Sequence, residues 1–420
     1  MHTPHIHRLI NIGLRGATLA SKFLLIFLLA RLLEPKELAL YGLLTATIGY
    51  ALYLLGFDFY AFTTREILKS DKSTWGGLLK SQGALSGILY LIFIPLLGLV
   101  FALDLLPWYL AGWFFALLIL EHMAQELGRL MVAISEPLLA SWIMFLRGGF
   151  WAIAVSAWMY YHPEARSLHT VLAAWTVGGI SCVFLGLYKI AGQRMGGWHQ
   201  AIDWQWIKRG LQIAIPLLVA TLALRGIFTL DRYWLEALAG LEILAAYVLF
   251  MGICNALTSF LDAGVFVFLY PKLIAAYNQK QAQHFRAGMQ SLGLQTLALT
   301  IAFSLIAYTL LPYLLLWIDK PAYSDSIFLF NWLLGATALY ILGMIPHYGL
   351  YAQGHDRPII KSHLTGFASF CLATWLTSLT NAELAVPIGI CVGFACILLI
   401  KTWALIRLTP PQYLLATPNA

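Results

Sequence analysis

Long apolar runs recur along the chain, among them residues 23–30, 91–103 and 108–120, and short polar stretches separate them. These runs lack the period-two alternation that a lipid-facing barrel strand carries. Their length suits helices that cross a bilayer, which takes about 20 residues each. The pattern predicts twelve such helices, over residues 13–33, 38–62, 78–102, 106–131, 137–160, 170–190, 209–230, 240–266, 287–312, 325–350, 362–381 and 384–405. The loops left between them are too short to hold a separate globular domain. The expected fold is all-α: a polytopic membrane protein with about 12 transmembrane helices in two six-helix lobes around a central cavity. Residues 1–195 would form the first lobe and 209–420 the second, joined by a cytoplasmic linker over 196–208.

Two lobes are suggested because the halves resemble each other. Ala17–Ala20 reads ATLA, and so does Ala220–Ala223, each followed two residues later by a cation, Lys22 and Arg225. Glu37-Leu38-Ala39-Leu40-Tyr41 parallels Glu242-Ile243-Leu244-Ala245-Ala246-Tyr247. Asp58 parallels Asp262, and Arg65 parallels Lys272. The matches keep their order at an offset of about half the chain, as in the parallel repeats of transporters whose substrate path lies between the halves.

Composition narrows the class. Of 420 residues, 60% are apolar and 11% are charged, against about 25% charged in a soluble domain. A soluble enzyme, a disordered chain and a coiled coil are excluded. The five cysteines all sit in apolar stretches without a CxxC pair, so neither a disulfide framework nor a zinc site is indicated. The net charge of +7 is read first as sidedness. With a cytoplasmic N-terminus, most of the 26 Lys and Arg fall on the cytoplasmic side, Lys361, Lys401 and Arg407 included. Only Arg31, Lys36, Arg166, Arg232 and Lys320 fall on the other. This bias is the one the positive-inside rule expects, and an even span count puts both termini in the cytoplasm.

Ionisable residues inside spans cost a few kcal/mol and usually face a partner or a water-filled cavity. Lys22, Arg147 and Arg225 lie deep in their helices, and Arg15 shares a face with Thr18 and Lys22. They are candidate substrate-binding residues. Arg15 could equally snorkel to the interface, and Arg147 and Arg225 could be tied up in buried pairs with Glu121 or Asp231. His122, Gln125, Glu126 and Arg129 make a polar stripe at helical spacing, with Glu121 beside it. Glu121, His122, Glu126, Asp58 and Asp262 are candidate coupling or gating groups. For Glu126 the alternative is pairing with Arg129, and for the two aspartates, pairing with basic residues of adjoining loops. Nucleotide-binding, HExxH, GxSxG and EF-hand patterns are absent; no enzyme, cofactor or metal is indicated. His2, His5 and His7 read as a solvated tail. A cavity lined by Lys22, Arg147 and Arg225, with Arg15 at its mouth, would attract an anion, phosphate above all.

Several segments resemble a known family: LRGATLASKFLLIFLLARLLEP, ELALYGLL, GFDFYAFTTREIL, QELGRLMVAISEPLLASWIMFLRGGFW, LALRGIFTLDRYWLEALAG, FLDAGVFVFLYPKLI and YAQGHDRPII. The chain is similar to the lipopolysaccharide O-antigen translocase (flippase) family of the multidrug/oligosaccharidyl-lipid/polysaccharide exporter (MOP) superfamily. Ala39 departs from the glycine that related sequences often carry there, and twelve spans leave no extra helix pair for a lipid tail. The resemblance implies alternating access and an undecaprenyl-diphosphate-linked oligosaccharide moved from the cytoplasmic to the periplasmic leaflet, driven by an ion or proton gradient. It implies that the diphosphate rests on Lys22, Arg147 and Arg225. Membrane lipids and polysaccharide-assembly proteins would be the partners, nucleic acid would not, and the protein would be a monomer. Competing readings are a drug–cation antiporter of the same superfamily, which needs an anionic cavity, and a membrane-embedded polysaccharide polymerase or acyltransferase.

Overall fold

A computed structural model describes the backbone of residues 3–414 and the side chains of residues 9–413. Arg8 and the histidines His2, His5 and His7 lie outside the described side chains. The described residues form an all-α protein of twelve long helices. They are α1 (Thr3–Leu32), α2 (Pro35–Gly56), α3 (Trp75–Ala102), α4 (Ala111–Ala133), α5 (Pro137–Tyr161) and α6 (Leu168–Gly192). The stretch Trp204–Asn278 holds α7 (204–239) and α8 (241–278), and α9 (Ala282–Ile318), α10 (Phe328–Ala352), α11 (Asp356–Ser378) and α12 (Ala382–Leu408) follow. Nine helical stretches among the described residues are long and apolar enough to cross a membrane, Trp204–Asn278 counting as one. The remaining two long helices, α4 and α11, carry polar residues mid-helix: Glu121, His122 and Glu126 in one, Ser362 and His363 in the other.

Local chemistry explains the boundaries. Glu34 and Glu37 form a capping box at the start of α2, with Pro35 at the first helical position, where its missing N–H costs nothing. Glu37 also accepts the backbone N–H of Leu168 at 2.9 Å, tying the start of α2 to the start of α6. After α2, Phe57 and Asp58 both adopt left-handed backbone, and the chain re-enters a short helix, Tyr60–Lys69. The side chains of Ser167 and Asn381 cap α6 and α12 by accepting from Thr170 and Leu384. Gly240, at φ 82° and ψ 176°, divides α7 from α8 in a conformation open essentially to glycine alone.

The chain divides into two compact units, 1–222 and 223–420, with the division inside α7 and downstream of the 196–208 segment. The preceding segment is strapped to the first unit: Gly76 N–H donates to Gly196 O at 2.8 Å, and Lys80 Nζ donates to Gln200 O at 2.9 Å. The first turns of α7 then bury Trp206 and Ile207 against Phe59, Leu85 and Leu89.

In the N-terminal unit, α4 packs on α6 around Leu127, Met131, Cys182 and Val183. In the C-terminal unit the core gathers Leu257, Phe266, Phe285, Leu292 and Ile341 from α8, α9 and α10. There α11 and α12 approach so closely that a Cβ at Gly366 would stand 3.0 Å from the carbonyl of Gly393, the small-residue packing familiar from membrane helices.

Candidate functional site

The N-terminal unit gathers three of the predicted residues. Arg147 lies in a π-helical turn, Leu146–Phe150, within α5; such turns re-aim side chains and recur at functional sites. Its Nε donates to Glu121 Oε2 of α4 at 2.5 Å. The other oxygen, Glu121 Oε1, accepts from Trp175 Nε1 of α6 at 2.7 Å. Trp151 stacks on Trp175 with centroids 5.7 Å apart and donates its own N–H to the carbonyl of Arg147 at 2.8 Å. Glu121 is buried and Arg147 half-buried. Both oxygens of Glu121 are thus spent, and Arg147 is oriented and charge-compensated.

Lys22 of α1 stands beside this pair, within electrostatic reach of both Arg147 and Glu121. Its side chain is exposed, with many protein atoms nearby. Among the described residues it makes no ion pair or hydrogen bond. Room for it depends on Gly148, where a Cβ would fall 2.9 Å from Lys22 Nζ. Thr18 and Ser21 on the same helix donate their hydroxyls to α1 carbonyls four residues back. The local sum is therefore a compensated pair plus one unpaired cation. Arg15 is apart from this group: it is exposed and donates to Ser141 Oγ of α5 at 3.2 Å, and Ser141 in turn bonds Asn11.

One turn along α4, the polar stripe is tied to α3. Glu126 accepts from Arg129 at 2.6 Å and from Gln82 at 2.7 Å, one bond to each oxygen. Arg129 lies 3.5 Å over the ring of Tyr60. Glu126 therefore has the Arg129 partner that its spacing suggested. His122 Nδ1 pairs with Tyr90 OH at 2.7 Å, while its buried Nε2 has no partner. Gln82, Tyr90, His122 and Glu126 line a cavity of about 410 Å³ between α3, α4 and α6. Asp58 sits in the left-handed break after α2, within electrostatic reach of Glu126.

Arg225 and Asp262 belong to the C-terminal unit. Asp262 opens a second π-helical turn, Asp262–Phe266, in α8 and is within electrostatic reach of Arg225 of α7. The alternative partner for Arg225, Asp231, is fully buried and engaged elsewhere: Tyr247 donates to one oxygen and the Arg232 backbone N–H to the other. Lys401, expected at a cytoplasmic helix end, is instead buried in α12, packed on α10 and α11. Among the described residues, no three His, Cys, Asp or Glu side chains converge as a metal site.

Trp175, Trp151, Tyr90 and Gln82 complete the site and were not anticipated. A tryptophan in a membrane helix reads first as an interfacial anchor, and nothing along one strand of sequence says that its N–H meets a carboxylate on another helix.

No family model and no curated relative matches the chain. Solved structures do. A multidrug resistance MATE family transporter of the MOP superfamily, in an inward-facing conformation, is similar at TM-score 0.65 and 13% identity, over 93% of this chain and 94% of that one. A MOP superfamily transporter from Pyrococcus furiosus, described by a binding pocket of reverse polarity that suggests a different function, is similar at TM-score 0.59 and 15% identity, over 96% of this chain and 94% of that one. The Vibrio cholerae MATE transporter VcmN, in a mutant form, is similar at TM-score 0.53 and 15% identity, over 97% of this chain and 99% of that one. The chain shares the fold of these structures over nearly its whole length.

Proposed function

We propose that this protein is a flippase that moves an undecaprenyl-diphosphate-linked oligosaccharide, an O-antigen or exopolysaccharide unit, from the cytoplasmic to the periplasmic leaflet by alternating access. The observation that carries this reading is the charge balance around Lys22. Glu121 neutralises Arg147 with one oxygen and binds Trp175 with the other, so the unpaired charge left is the Lys22 ammonium. An unpaired cation in a low-dielectric surround attracts phosphate and repels cationic guests. Arg147, already oriented, adds a second donor when the anion arrives, and Arg225 supplies the corresponding cation of the C-terminal unit. The sugar would sit among polar side chains and the prenyl tail would stay in lipid. The setting is a bacterial inner membrane with both termini cytoplasmic; the protein acts as a monomer, beside polysaccharide-assembly proteins.

The likeness to multidrug transporters favours a second reading, export of cationic drugs. It needs a carboxylate with a free oxygen, and in α4 both Glu121 and Glu126 spend both of theirs on neighbours. Reconstituted vesicles separate the two. The wild type should flip a fluorescent prenyl-diphosphate saccharide and leave a cationic dye in place, and Lys22→Glu should abolish flipping while the protein still inserts. Dye transport with no flipping would establish the antiporter instead.

A further inference from the structure

The C-terminal unit contains a second cluster of basic groups that the substrate path does not use. His347 of α10, His363 of α11 and Lys401 of α12 converge near the ends of their helices. The imidazoles of His347 and His363 lie parallel, 4° apart in plane, with centroids 6.3 Å apart. Tyr351, one turn along α10, also lies parallel to His347, with centroids 6.4 Å apart. Lys401 is 3% exposed and His363 is 8% exposed.

No carboxylate serves Lys401 or His347. Among the described residues Lys401 makes no ion pair or hydrogen bond, and Nδ1 of His347 is buried without a partner. The charged groups within reach of His347 are Lys401 and His363 alone. The elements packed around it otherwise present tyrosines, apolar groups and, beyond Tyr348, the Asp262 carboxylate. Tyr348 stands next to His347, with Tyr270, Tyr340 and Asp262 grouped around Tyr348. On the α9 side, Met289 faces Gly349.

A buried ammonium without a counter-ion is costly in any interior and more so in a membrane. Two outcomes relieve it: an anion binds, or the group gives up its proton. Lys401 is 3% exposed, and a proton can be taken up or released there without room for a ligand. Three basic nitrogens this close also resist carrying more than one charge between them, because like charges in a dry site repel strongly.

We propose that His347, His363 and Lys401 form a proton-binding site of the C-terminal unit, which holds one shared proton and titrates as a unit. This assigns the coupling ion of the transport reading above to a proton, and places its seat in α10–α12 rather than at Glu121, whose oxygens are both engaged.

The test is a pH titration of the full-length protein in detergent micelles, with ¹³C-labelled histidine followed by NMR and His347→Gln and His363→Gln used for assignment. The two imidazoles should respond together in one common step, each by a partial shift, because one proton is shared among the three groups. In Lys401→Met, removal of the neighbouring ammonium should move that step by about one pH unit. Independent titration of the two rings, absence of a step, or no movement in Lys401→Met would overturn the site. A step that moves with chloride or phosphate concentration would overturn it in favour of an anion site. Should Lys401→Met fail to fold, the wild-type titration alone decides. Because no substrate is present, the outcome is separate from the flippase reading, which stands or falls on the vesicle assay.

Discussion

Two clusters of charge, one in each unit, are handled in opposite ways. In the N-terminal unit Glu121 and Arg147 answer each other at 2.5 Å, and a tryptophan N–H fills the remaining carboxylate oxygen. In the C-terminal unit Lys401 is buried and His347 half-buried, and the charged groups within reach of His347 are basic. A paired and hydrogen-bonded charge is costly to break and can be permanent. An unpaired one has to change its protonation or find a ligand. The first arrangement suits a fixed electrostatic feature that positions a substrate, and the second suits a part that changes during a cycle.

Substitution should break this contrast cleanly, because the signs differ. Arg147→Met strands the buried Glu121 carboxylate and should cost about 3–5 kcal/mol, read as a fall in melting temperature in detergent. Lys401→Met removes an uncompensated ammonium and should stabilise the protein at neutral pH, by about 1–3 kcal/mol. If both variants destabilise alike, the contrast fails. Trp175→Phe deletes the donor to Glu121 together with the pyrrole half of the buried ring, and should cost at least about 2 kcal/mol, the worth of a hydrogen bond to a charged group plus lost packing. Gly240→Ala meets no neighbouring atom, so its cost is conformational alone, about 1–2 kcal/mol from the backbone φ and ψ it must hold. Lys69→Ala breaks an exposed pair with Glu66 and should change the melting temperature by no more than about 0.5 kcal/mol allows.

Much of this was legible in the sequence. Apolar runs separated by polar stretches predicted the twelve helices, and i, i+3, i+4, i+7 spacing marked the polar stripe of α4 before any neighbour was known. Glu121 stood as a possible partner for Arg147 because two opposite charges deep in apolar helices have few other ways to coexist. What could not be read was which helix meets which. The Trp175 bond to Glu121, the Gln82 bond to Glu126 and the crowding of Lys22 by Gly148 depend on packing between segments far apart in sequence. The π-helical turn that aims Arg147 leaves no trace in periodicity. Lys401 misled for a related reason: a lysine near the end of a span looks like a loop cation, and only the packing of α10 and α11 against it reveals its burial.

The central claim is that Lys22 is the unpaired cation that receives the phosphate, and the most direct measurement is binding of a short prenyl diphosphate to the purified protein by titration calorimetry. Lys22→Gln should weaken binding by about tenfold or more, the worth of one charge-assisted hydrogen bond. Glu121→Gln, which frees Arg147 from its partner, should leave affinity equal or better. Unchanged affinity in Lys22→Gln, or weaker binding in Glu121→Gln with Lys22 intact, would contradict the account.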